Sequence, residues 1–137
     1  MEGLLTSREY ALLAASAADA KKGSDIIIQD VSELLQITDY FVVVTGQNAR
    51  QVDSIQEAVE EKLTQEAGLK PISIEGLDGL DWVLMDFGSI IVHVFQPDIR
   101  DFYRLETLWG DAPIVDLSEA GIQEPVFSQR IQEFLER

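Results

Sequence analysis

The sequence predicts an α/β fold: a mixed β-sheet of about five strands flanked by helices. Three observations predict it. Two short β-branched and aromatic runs, "DIIIQDV" and "DYFVVVTG", precede an amphipathic helical pattern and a further extended run, "KPISIEG". Strand, helix, strand in that order implies a right-handed parallel crossover. Two more apolar runs, "WVLMDF" and "IIVHVF", are separated only by Gly88 and Ser89, which predicts a hairpin. Helical periodicities stand before the first run and after the last.

Thr6 and Glu9 have the spacing of a capping box, Leu13, Ala14 and Ala17 repeat at helical intervals, and Gly23 supplies a stop. A helix over residues 7 to 22 is expected. The run ending at Gly46 is apolar enough to be buried on both faces. Asn48 is placed to cap a long helix that turns Val52, Ile55, Val59 and Leu63 inward and ends near Gly68. Asp98 is expected to cap the next helix, which carries Ile99, Phe102, Leu105 and Trp109 inward, with Tyr103 and Glu106 to its side, and stops at Gly110. The segment "VFSQRIQEFLER" predicts a short terminal amphipathic helix that either packs back or pairs with a second chain.

Composition narrows the function. The chain has 137 residues, one domain's worth, and 46% hydrophobic content is ample for a core. Its 25 Asp and Glu against 10 Lys and Arg give a net charge of −15 and a pI near 4.2. Such a surface repels nucleic-acid phosphates and anionic membranes and attracts basic proteins. With no cysteine and a lone histidine, His93, disulfides, thiolate sites and paired-histidine zinc motifs are excluded, and no metal or cofactor is expected. The apolar run "ALLAASAADA" is interrupted by Asp19, and Glu2 and Glu9 surround Arg8, so it reads as a helix rather than a signal segment. No apolar run is long enough to span a membrane, and a cytoplasmic location is expected.

The hairpin separates two faces. A two-residue turn pairs Phe87 with Ile90, Met85 with Val92 and Val83 with Val94, an all-apolar set that belongs to the core. The opposite face pairs Asp86 with Ile91, Leu84 with His93 and Trp82 with Phe95. This mixed face is where chemistry or recognition is expected. His93 with Asp86 could form a general base and its orienting carboxylate, but the face lacks a nucleophile. Asp25 and Asp30 are spaced for opposite faces of a strand, and neither "IIIQDV" nor "VLMDFG" supplies the alternate aspartates that hold magnesium in nucleotidyl transfer. Asp30, Asp39 and Asp86 read as strand-end or turn residues. The helix start at "TGQNAR" lacks the glycine spacing of a phosphate loop.

Taken together, "ITDYFVVVTGQNARQV", "DWVLMDFGSIIVHVFQPDIRDFY" and "LETLWGDAP" resemble the ribosomal silencing factor family, also called RsfS or Iojap. The resemblance runs over about residues 7 to 115 and divides the chain into a family-like domain, 1–115, and a tail, 116–137, with its short helix. It implies a nucleotidyltransferase-like fold without the catalytic motif, no enzymatic activity and no cofactor. It also implies binding to the large ribosomal subunit through the basic protein L-fourteen, which blocks subunit joining sterically and represses translation. Carried over by position, the interaction motif falls on Trp82, Leu84, Asp86, His93 and Phe95, with Tyr103 and Glu106 completing the expected partner-binding set. Ser89 departs from the aspartate common at that turn position. The alternatives are a nucleotide-binding or nucleotidyl-transfer enzyme with an unusual site, and a homodimeric adaptor that uses the terminal helix.

Overall fold

The computed structural model describes residues 5–137; Glu2, one of the acidic residues flanking Arg8, lies outside the described residues. A five-stranded sheet in the order β1-β2-β5-β4-β3 forms the centre of the molecule. The strands are β1 (Ser24–Asp30), β2 (Tyr40–Thr45), β3 (Ser73–Glu75), β4 (Trp82–Asp86) and β5 (Ile90–Phe95). Only β2 and β5 pair in parallel; β1–β2, β4–β5 and β3–β4 are antiparallel. The expected crossover is therefore a long one. Strand β3 runs in the same direction as β2, but β5 and β4 are inserted between them.

Helices α1 (Ser7–Ala20) and α2 (Ala49–Ala67) cover one face of the sheet. The Thr6–Glu9 capping box forms in both directions, and the Asn48 side chain accepts the Gln51 N–H at 2.9 Å. Val52, Ile55, Val59 and Leu63 are buried against the sheet, and Gly68 ends α2 in the left-handed conformation. Helix α1 stops at Ala20, two residues earlier than expected, because Lys22 rather than Gly23 takes the positive φ. The apolar hairpin set, Val83, Met85, Phe87, Ile90, Val92 and Val94, lies in this core with Ile26, Ile28, Val42 and Val44. No helix among the described residues is long and apolar enough to cross a membrane.

The other face is covered less completely, by α3 (Pro97–Tyr103), α4 (Leu105–Leu108) and the C-terminal α5 (Gln129–Glu136). Three expectations are corrected here. Asp98 does not cap: Gln96 is the N-cap residue and Pro97, whose missing N–H costs nothing at a helix start, is first in the helix. The helix that was to run on to Gly110 breaks at Arg104, a left-handed residue with φ of +49°. Phe102, within α3, points outward at 76% exposure, because α3 turns Arg100 inward instead. The break has a physical cause. Residues six apart lie about 120° from one another around an unbroken helix, whereas Arg100 and Glu106 here turn inward together and form an ion pair of 3.0 Å with both side chains buried.

The C-terminal segment packs back on the same chain. Its strap bonds to the outer edge of β1 (Asp30 N–H to the Pro113 carbonyl, 2.8 Å; Val115 N–H to the Ile28 carbonyl, 2.9 Å). Helix α5 then buries Ile131 and Phe134 against Ile27. Asp25, at a bulge in β1 with φ of +51°, accepts the N–H of Ser128 at 2.6 Å. Asp30 accepts from Ser32 at the strand end, so the two aspartates do unrelated structural work.

The two faces of the hairpin predict different costs of truncation. Met85→Ala and Val92→Ala, each fully buried, should each lower unfolding free energy by roughly 1–4 kcal/mol in urea titrations. A loss as small as that of Leu84→Ala would contradict the assignment of the core face.

Candidate functional site

The outward face of the hairpin is built by register. Trp82 pairs with Phe95, Leu84 with His93 and Asp86 with Ile91, as the two-residue turn requires. Gly88 makes that turn with φ of +89°, a conformation open to glycine and costly to other residues. The Asp86 carboxylate accepts the Gly88 N–H at 2.8 Å, and Ser89 fits the turn with its carbonyl accepting the Asp39 N–H at 2.9 Å.

On this face the sheet is left uncovered between β3 and α3, forming a groove of about 410 Å³ lined by Trp82, Leu84, Tyr103, Ile99, Glu75, Gly76 and Asp81. Three of the sequence-predicted residues, Trp82, Leu84 and Tyr103, therefore share one groove. Gly76 allows the close approach: a Cβ there would lie 2.0 Å from the Trp82 carbonyl oxygen. Tyr103 is half exposed, and its ring centroid is 5.0 Å from that of Trp82; Phe102 packs edge-on against Tyr103 at 4.9 Å. The walls are aromatic and aliphatic, and the charged lining residues, Glu75 and Asp81, are both acidic. Asp86 lies on the same strand face, two residues beyond Leu84.

The remaining predicted residues are placed differently. His93 and Phe95 are buried beneath the groove, and Glu106 is fully buried below the helices; none of the three is a surface contact. Phe95 stacks under Trp82 at 4.7 Å. His93 Nδ1 accepts the indole N–H of Trp82 at 3.2 Å, which assigns the proton of the neutral ring to Nε2. Phe41 meets the imidazole edge-on at 5.1 Å. His93 thus orients Trp82 from below.

Glu106 joins a buried network that the continuous-helix reading missed. It accepts from Arg100 Nε at 3.0 Å and from Arg130 Nη1 of α5 at 2.7 Å. Arg100 Nη1 also donates to Thr45 Oγ1 at 2.9 Å, and Gln29 Nε2 donates to the backbone carbonyls of Glu106 and Trp109. Burial opposes ionisation of Glu106, but the two arginines outweigh it and hold the carboxyl below its ordinary range. The sequence did contain a signal for this network. Gln29 and Thr45 are polar positions within otherwise apolar buried runs, and buried polar groups need partners.

Burial, and secondarily the charge of Arg100, depresses the His93 pKa from 6.5 to about 3. The imidazole is enclosed, its Nδ1 lone pair is taken by the Trp82 N–H, and the lowered pKa makes it a weak base, so the geometry does not favour it as a general base. By linkage, its contribution to stability is full above the unfolded value of 6.5 and is lost as pH falls towards about 3. As the only histidine in the chain, its NMR signals should stay flat from about pH 8 down to about pH 5. A midpoint in the ordinary range near 6.5 would show that the ring is solvated and the Trp82 contact open.

Comparison with known proteins agrees with this architecture. Residues 5–134 match the family model described as "Ribosomal silencing factor during starvation". The chain is 40% identical over 105 residues to ribosomal silencing factor RsfS of Bacillus subtilis, covering 77% of this chain and 88% of that protein. It is 37% identical over 113 residues to the RsfS of Halalkalibacterium halodurans, covering 82% and 96%. The crystal structure of protein CV0518 from Chromobacterium violaceum superposes with a TM-score of 0.74 at 36% identity, covering 90% of this chain and 93% of that one. With the family model spanning nearly its whole length and the same fold in a solved relative, this chain belongs to the ribosomal silencing factor family, RsfS or Iojap.

Proposed function

We propose that this chain silences ribosomes without catalysis, by docking the groove beside Trp82 onto a basic protein of the large subunit, L-fourteen, and so obstructing the approach of the small subunit. The observation that carries the reading is the groove: an aromatic and aliphatic depression with an acidic lining, on a protein of net charge −15. Opposite charge steers such a surface to a basic protein and away from rRNA, while the desolvated aromatic centre supplies affinity. The relatives' names, ribosomal silencing factor, are consistent with this role. A non-catalytic reading is supported by the chemistry of the face, where the one imidazole is buried, weakly basic and has its acceptor nitrogen committed to Trp82.

Trp82, Leu84, Tyr103 and Asp86 are the contact residues in this proposal; His93 and Phe95 act from beneath by fixing the Trp82 ring. Trp82→Ala should weaken large-subunit binding by about 2 kcal/mol or more, roughly thirtyfold in affinity. It also removes a stack on Phe95, so Tyr103→Ala, at a half-exposed position, serves as the second variant. Its binding should fall while its urea midpoint stays close to that of the unmodified protein. Normal binding by both variants would remove the groove from the interface.

Charge provides the second test. Added to separated subunits, the unmodified protein should reduce their joining in sedimentation, and its association with the large subunit should slow as salt rises, since steering is screened over about 8 Å at physiological ionic strength. Asp86→Lys places a cation on the docking face and should restore joining. Asp86→Asn, which keeps an acceptor for the Gly88 N–H, separates the charge from the turn. Glu133→Lys, on the exposed side of α5, should change little. If Asp86→Lys blocks joining as well as the unmodified protein does, the hairpin is not the docking surface.

A further inference from the structure

We infer that the C-terminal helix is a latch that positions the tyrosine wall of the groove, with Arg130 as the positioning residue. The functional consequence rests on the docking reading above; the structural coupling does not.

Arg130 grips the corner between α3 and α4 at three points. Its Nη1 donates to Glu106 at 2.7 Å, its Nε to Asp101 at 2.8 Å and its Nη2 to the Arg100 carbonyl at 3.4 Å. These residues surround Arg104, whose φ of +49° is unfavourable for a residue with a side chain and persists only when the surroundings hold it. Tyr103 immediately precedes this corner and is the groove wall that meets Trp82. The sheet holds the corner from inside, through Thr45 to Arg100 and through Gln29 to the Glu106 carbonyl. Arg130 is the contact from α5, and it engages the polar groups of the corner from the opposite side.

The latch is built to release. At eight residues, α5 is too short to be a stable helix by itself. Its buried side chains, Ile131 and Phe134, meet Ile27 in a small cluster that touches the large core at the partly buried Phe127. Undocking α5 therefore leaves the main core closed, which places this helix among the elements that open at low cost. When Arg130 leaves, Glu106 keeps Arg100, but Asp101 loses its ion-pair partner and the left-handed corner loses its outer contact. A docked tail goes with a formed groove, and a free tail with a loosened Tyr103. Any factor that competes for α5 would then weaken docking at a groove it never touches.

The test is Arg130→Gln, a partly exposed position whose change leaves the Arg100–Glu106 pair in place. Amide exchange over residues 100–108 should quicken, and the NMR cross-peaks between the Trp82 and Tyr103 rings should weaken. Large-subunit affinity should fall roughly three- to tenfold. Arg130→Lys, which keeps one ion pair but not the fork, should lie between. Combined with Tyr103→Ala, Arg130→Gln should cause no further loss of affinity, because the two act through the same ring. Additive losses would mean that Arg130 acts elsewhere, and unchanged exchange and ring contacts would overturn the latch outright. If the unmodified chain failed to bind the large subunit at all, the docking reading would fall, and the exchange and ring-contact measurements would still decide the latch.

Discussion

The structure depends on the pairing register of one hairpin. Because side chains alternate along a strand, the two-residue turn at Gly88 and Ser89 decides at a stroke which residues of β4 and β5 enter the core and which reach the other face. A slip of one residue would expose Val83, Met85 and Val92 and bury Asp86 without a partner. That cost pins the register, and with it the geometry of the groove. Strand β5 extends the constraint to the centre of the sheet through its parallel pairing with β2, so the groove face is held by the best-buried part of the molecule.

The groove is organised in layers. Phe95 and His93 form a buried platform; Trp82 lies on it, stacked on one and hydrogen-bonded to the other; Tyr103 and Ile99 close the side. An aromatic anchor supported in this way has little side-chain freedom left to lose on binding, and such preorganisation raises affinity without new contacts. The arrangement also explains why a histidine is useful here without titrating. Its neutral Nδ1 offers the indole an acceptor inside an apolar layer, and burial keeps it neutral.

Beneath α3 and α4 the logic is electrostatic. Arg100, Glu106 and Arg130 bring charges from two helical regions to one buried point, with Thr45 and Gln29 supplying neutral partners from the sheet. Removing Glu106 would leave the buried Arg100 without its counter-charge, so the network specifies a single arrangement of the helices more strongly than its net energy implies. Here that arrangement includes the break at Arg104. The aspartates follow a simpler rule: Asp30 and Asp86 satisfy backbone N–H groups at turns, and Asp25 fastens the start of the terminal helix.

What the sequence determined by itself was everything set by short-range periodicity and capping. That includes the strand runs, the Thr6 and Asn48 caps, the Gly68 stop and the hairpin register with its apolar and mixed faces. Strand alternation also put Trp82 and Leu84 on the mixed face, where the structure has them lining the groove. Only tertiary structure decided the order of the strands, the depth of His93 and Phe95, the outward turn of Phe102 and the burial of Glu106. Each of these depends on partners distant in sequence. His93 is buried because Phe41 and Trp82 close around it, and Glu106 because Arg100 and Arg130 neutralise it there. Alternation fixes the face on which a side chain lies, but burial depends on what the rest of the chain brings to cover that face.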